Sequence, residues 1–283
     1  MPTARLSDRG VIEVAGPDAA DFLNRLLTNQ VPEQPAPQAS YAALLTPQGK
    51  VLADMLIVRH PQQSDGFLLD CARISIPEVL KRFTLYKLRA AITLKEASDH
   101  WSVEAGWGAP QPFGPQDDTR HVFDDPRHQA IGQRAMVSGP SQPDSDSVAY
   151  HSHRISLGLA EGGKDFDYGS VFPHEINLDH VHGLDFQKGC YVGQEVVSRM
   201  EHRGTARNRI VPVTLAAGAS IAQGTPLMAG SLTIGHLGST NAKGQGLALL
   251  RIDRVQEAQA KQQTITAGGL ACLPHIPDWA QQA

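Results

Sequence analysis

Ser40–His60 reads SYAALLTPQGKVLADMLIVRH, two apolar runs joined across Pro47-Gln48-Gly49. Proline presets one turn position and glycine supplies another, so the segment predicts a hairpin of adjacent antiparallel strands. Upstream, GVIEVAGPDAADFLNRLLTNQV predicts strand, turn and helix, with Asp18 as N-cap and Phe22, Leu23, Leu26 and Leu27 on one apolar face. Pro32, Pro35 and Pro37 then interrupt regular structure. Downstream, DGFLLDC reads as a strand, ISIPEVLKRFTLYKL as a helix opening near Pro77, and RAAITLKEA as a returning strand. Hairpins mixed with helices, without strict alternation, predict an α+β fold rather than a doubly wound sheet.

Two loop-rich segments, GAPQPFGPQDD and SGPSQPDSDS, flank HVFDDPRHQAIGQRAMV, which is expected to hold a short strand. From Asn208 onward, IVPVTL, LMAGSLTIGHLGS, GLALLRI and GGLACLPHI are short apolar segments punctuated by glycine. That pattern predicts a small β-barrel or sandwich. RVQEAQAKQQ within it reads as an exposed polar connection. The expected division is residues 1–205 and 206–283, and the first region admits a further split near 100–150.

A chain of 283 residues, 41% hydrophobic, has the composition of a globular protein with a sizeable core. Its net charge of −4 and lack of a long basic block argue against broad nucleic-acid binding. No run approaches the ~20 apolar residues that span a bilayer, so no membrane partner is expected. The start lacks the apolar run of a secretory signal. Cys71, Cys190 and Cys272 are widely separated and form no CxxC pair, which predicts neither a disulfide framework nor a zinc site. His151, His153, His174, His180 and His182 cluster in sequence, but HxH in a loop lacks a fixed ligand spacing, and no metal site is expected. Together these features predict a cytoplasmic monomer.

The chemistry concentrates in His182–Gly204, HGLDFQKGCYVGQEVVSRMEHRG. Val192 to Arg203 predicts a short helix, with Glu195 in its first turn, Arg199 spaced for an i,i+4 pair and Gly204 closing it. Cys190 then stands just before a helix N-terminus, with Lys188 two residues upstream, and both features favour a thiolate. Gly189 and Gly193 permit sharp turns or close approach. On these residues alone the thiol is a packing residue, a reactive group or a metal ligand, and a single thiol holds no cluster, since iron–sulfur centres take about four ligands.

KGCYVGQE, Lys188–Glu195, resembles the YgfZ family of folate-binding proteins that mature or maintain iron–sulfur enzymes, a family with a mitochondrial branch. LLTNQV, LLTPQGKVLADM, RISLGL, FPHEINLD and GHLGST extend the similarity over most of the chain, and GTARNR resembles the bacterial and mitochondrial branch. The resemblance implies the fold of the glycine-cleavage T-protein, an aminomethyltransferase. It further implies Cys190 as the working thiol with Lys188 beside it, supported by Gly189, Tyr191, Gly193, Gln194 and Glu195. A folate pocket is implied in the N-terminal region, lined by Asp54 and Glu175 with Tyr41 and Asn29 as further candidates; a carboxylate can grip the donor-rich edge of a pterin. Lys81, Arg82, Lys87 and Arg89 could meet a folate tail or form a solvated helix face.

The implied cofactor is tetrahydrofolate or a derivative, with an iron–sulfur cluster shared transiently, and the implied partners are iron–sulfur assembly factors or client enzymes. Two departures bear on the activity. Ala53-Asp54 stands where the T-protein has a carboxylate pair, and Ser156 in Arg154–Gly158 stands where it has a pterin-holding glutamate. No independent turnover is therefore expected. The alternatives are a tetrahydrofolate-dependent aminomethyltransferase and a folate-linked tRNA-modification factor, the latter resting on Arg203, Arg207 and Arg209.

Overall fold

The computed structural model describes residues 1–34, 38–113, 119–204, 206–216, 219 and 221–277. Pro35, Pro37, the GPQDD part of the first loop and the boundary residue Thr205 lie outside them. The chain forms two compact units whose sequences interleave: Met1–Tyr150 with Leu178–Gln194, and His151–Asn177 with Glu195–Ala283.

The first unit holds two sheets. One runs β3 (Ala39–Leu45), β4 (Val51–Arg59), β5 (Gly66–Ala72), β2 (Arg9–Ala15), β6 (Thr93–Glu96), antiparallel throughout. The other runs β1 (Thr3–Arg5), β7 (Ser102–Gly106), β9 (Gln133–Val137), β8 (Arg120–Asp124). The predicted hairpin is β3–β4, closed by Thr46 N to Lys50 O and Gly49 N to Thr46 O, each 2.8 Å, with Gly49 at φ +80°. The segment expected to hold one strand holds two, β8 and β9.

Period-2 alternation sorts the five-stranded sheet into two faces. Ala42, Leu44, Ala53, Met55, Ile57 and Leu69 pack beneath helices α1 (Ala19–Leu26) and α2 (Ile76–Lys87), which bury Phe22, Leu23, Val79 and Phe83. Phe22 and Phe83 meet edge to face, with ring centroids 5.5 Å apart. Asp18 stands at the N-cap of α1, but its side chain makes no cap bond and instead accepts the Ala91 N–H at 2.7 Å. The opposite face carries Arg9, Tyr41, Asp54 and Asp70, which meet Asp125, Arg127 and Arg134 in a buried polar network.

The second unit is built on a closed barrel, ordered β10 (Asn208–Leu215), β13 (Gln245–Arg251), β12 (Leu232–Thr240), β11 (Pro226–Ala229), β14 (Ile265–Ala267), β15 (Leu270–Pro274). The α+β class and the C-terminal barrel are thus as expected. RVQEAQAKQQ, expected as an exposed connection, lies mostly in helix α5 (Ile252–Ala260), whose Ile252, Val255 and Ala258 enter the barrel core at i, i+3 and i+6. His151 and His153, expected in a loop, lie on helix α3 (Ser147–Ser156). Fully buried Arg154 ties that segment to the barrel by donating to Asp165 Oδ2 at 2.7 Å and Ser239 Oγ at 2.8 Å. No helix among the described residues is long and apolar enough to cross a membrane.

Candidate functional site

Residues 182–193 form a loop of the first unit seated on Leu27–Gln30. Thr28 Oγ1 donates to Gly183 O at 2.7 Å, and Asp185 N donates to Thr28 O at 3.0 Å. Asn29 Nδ2 donates to His182 O at 2.8 Å and Tyr41 O at 3.0 Å, so that predicted residue joins the loop to β3. Asp185 then turns the chain by accepting the N–H groups of Gln187 and Lys188 and the Gln30 side chain. Partial burial works to raise its carboxyl, but these donors and the Lys188 charge hold it below the usual carboxylate range.

Lys188 is buried and donates through Nζ to Leu27 O and Asn29 O, each at 2.8 Å, with the Tyr191 ring centroid 5.5 Å away. Leu27 is the C-cap of α1, so the ammonium meets carbonyls at the negative end of that helix. Burial, only partly offset by Asp185, pushes the ammonium down to about 8. The Tyr191 phenol is pushed up to about 12 by burial and then by Asp185.

Past this anchor the backbone emerges. Cys190 is exposed, whereas Cys71 and Cys272 are buried, Cys71 with its thiol pushed up to about 12. The space around Gly189 is open: a Cβ there would meet nothing within 4 Å. Gly193 differs, at φ +84° with its missing Cβ 2.7 Å from Thr46 O, so only glycine lets the loop press against the β3–β4 turn. Gln194 begins helix α4 (Gln194–Arg203), four residues after Cys190, and Glu195 pairs with Arg199 at 2.6 Å. Cys190 lines a cleft of about 860 Å³ together with Lys188, Tyr191, Gln30, Asn24 and Arg25.

The other predicted residues lie elsewhere. Asp54 is fully buried and accepts the Tyr41 hydroxyl at 3.0 Å; burial and that carboxylate push the Tyr41 phenol up. Neither lines the cleft at Cys190. Glu175 belongs to the second unit, in a 3-10 turn at Pro173–Ile176, where it accepts Phe172 N and Asn208 Nδ2, each at 2.7 Å. It fastens that turn to β10. Both carboxylates are thus engaged within the chain. Ser156 is exposed and donates to His153 O. Sequence reasoning missed Arg9, Asp70, Asp125, Arg127 and Arg134, whose separate positions along the chain carry no shared signal.

Residues 5–111 match the family described as GCVT N-terminal domain, and residues 207–282 match the CAF17 C-terminal beta-barrel domain. The iron-sulfur cluster assembly factor IBA57, mitochondrial, of Mus musculus is 31% identical over 310 residues, spanning 97% of this chain and 84% of the relative. This chain belongs to the IBA57 family. The Homo sapiens protein of the same description is also 31% identical, over the same shares of both chains. A Mycosarcoma maydis IBA57 homologue is 37% identical over 75% of this chain, which covers 56% of that longer relative. Among solved structures, a glycine cleavage system aminomethyltransferase T from Bartonella henselae superposes with a TM-score of 0.73 at 15% identity, over 99% of this chain and 86% of the other, a likeness of fold. The expectation of a cytoplasmic protein is overturned by these relatives, which are described as mitochondrial. They point to mitochondria for the IBA57 family.

Proposed function

We propose that this IBA57-family chain is an iron–sulfur cluster assembly factor whose Cys190 supplies one ligand to a cluster in transit. The observation that carries the reading is the loop geometry: an exposed thiol over a cleft of about 860 Å³, on a backbone fixed by Lys188 and Gly193. Cys190 loses its thiol proton to bind iron, and a partner protein provides the remaining ligands, since such clusters take about four. Lys188 acts as the post that holds the loop, and Gly189 leaves the approach to sulfur open. The similarity of KGCYVGQE to YgfZ proteins supports the same reading.

Folate enters more narrowly. The GCVT-type fold supports a tetrahydrofolate site, yet Asp54 is engaged by Tyr41 and Glu175 by Phe172 and Asn208. The decisive experiment is complementation of cells lacking their native copy, reading the activity of a [4Fe–4S] enzyme. Cys190→Ser accumulates as folded protein and fails to restore that activity; full rescue by serine would remove the thiol from the mechanism.

A further inference from the structure

Helix α2 buries Ile76, Val79 and Phe83, yet large apolar side chains stand exposed on it and at both its ends. Ile74 is 78% exposed, Leu85 63% and Leu88 87%, three of the largest exposures of any big apolar side chain in the described residues. Leu85 and Lys81 lie on the side of α2 away from that stripe, Ile74 precedes the helix in the 3-10 turn Arg73–Ser75, and Leu88 follows it as the C-cap residue. The flanking charges are of one sign. Between Arg73 and Arg89 five basic residues stand against the single acid Glu78, in a chain whose net charge is −4. Glu78 is taken up by Arg82 at 2.7 Å and also faces Lys81 at 3.9 Å, so the segment keeps an excess of positive charge, with Arg73, Lys87 and Arg89 outside those pairs.

Leu88 adds an independent observation. It ends the helix at φ +46°, ψ −107°, a conformation costly for a leucine and natural for glycine. In water a strained leucine with its side chain outside has no folding advantage. A surface that rewards that side chain gives it one.

We infer that the outer face of α2, from Ile74 to Arg89, seats on an anionic lipid bilayer. The aliphatic tips of Ile74, Leu85 and Leu88 enter the boundary between headgroups and acyl chains, and the basic side chains reach back to anionic headgroups. No helix among the described residues spans a bilayer, and this seating places the chain on a membrane rather than through it. The segment carries no exposed aromatic, unlike the tryptophan- and tyrosine-centred anchors of protein interfaces. The cleft beside its C-terminal end, lined by Lys87, Leu88 and Arg89, shares Asp21, Arg25 and Val192 with the cleft at Cys190.

The test is co-sedimentation of the full chain with vesicles of phosphatidylcholine, with or without about 30 mol% phosphatidylglycerol. Binding to the anionic vesicles is expected, at least about tenfold stronger than to neutral ones and reduced by about 0.5 M salt. Leu85→Glu with Leu88→Glu abolishes it. Leu88→Gly weakens it severalfold while the melting temperature holds or rises, because glycine relieves the strain; a folding defect would instead lower both. Cys190→Ser leaves it unchanged, which separates this proposal from the thiol's role. Absence of binding to anionic vesicles, or binding indifferent to Leu85 and Leu88, overturns it. So does retention of poly-L-glutamate by a chain that ignores the vesicles, which would assign the face to an acidic protein.

Discussion

Lys188 and Cys190 stand two residues apart and do opposite things. The lysine turns inward to two carbonyls, and the cysteine turns out to solvent. Replacing Lys188 by methionine leaves the Leu27 and Asn29 carbonyls without their donor, at an expected cost of about 1–3 kcal/mol in urea unfolding. The same change loosens the loop and raises the rate at which a small alkylating reagent modifies Cys190. The pH dependence has a definite sign. Lys188 titrates near 8 when folded against 10.5 when free, so the unfolded chain binds more protons between those values. Wild type therefore gains stability relative to Lys188→Met as pH rises from about 8 toward 10.5, measured by denaturant midpoint at successive pH values.

Among the elements, the contact of the thiol loop with the β3–β4 turn is the most constrained. Gly193→Ala adds a methyl 2.7 Å from Thr46 O at a positive φ, and a loss of about 1–3 kcal/mol is expected by thermal unfolding. The hairpin and helices α1 and α2 were legible because their signals are local: a proline–glycine turn, alternation, and leucines at helical spacing. Helix α5 was not, since only Ile252, Val255 and Ala258 mark its inner face amid glutamines. The candidate site was legible at KGCYVGQE as a motif. That Lys188 serves the loop was not, because its acceptors lie 161 and 159 residues away. Asp54 and Glu175 read in sequence as ligands or fasteners, and their partners Tyr41 and Asn208 were not legible there because they are set by the fold.

Across the whole first unit, the two sheets share a buried ionic core. Asp125 takes Arg127 in two bonds of 2.9 and 2.7 Å and faces Arg134 at 3.4 Å, while Arg134 donates to Tyr150 and Arg9 pairs with Asp70. Burial opposes ionisation of Asp125, but the Arg127 charge and hydrogen bonds, with Arg134, hold its carboxyl at about 2. Its contribution to stability is present above the free value of 3.8 and is lost as pH falls through about 2. Asp125→Asn leaves two guanidinium groups under-compensated in the interior, and a loss of about 3–5 kcal/mol is expected in urea unfolding, with a flatter acid limb.

The interleaving of the two units also sets an order of manufacture. Asn177, His174 and Glu175 bond to Ile210, Arg209 and Asn208, 33 to 35 residues further on, so their turn leaves the ribosome before the strand that receives it. Leu178–Gln194 is the final piece of the first unit to be synthesised, and its anchor sites at Leu27 and Asn29 are among the oldest. Cys190 is therefore synthesised only after the segments that anchor its loop.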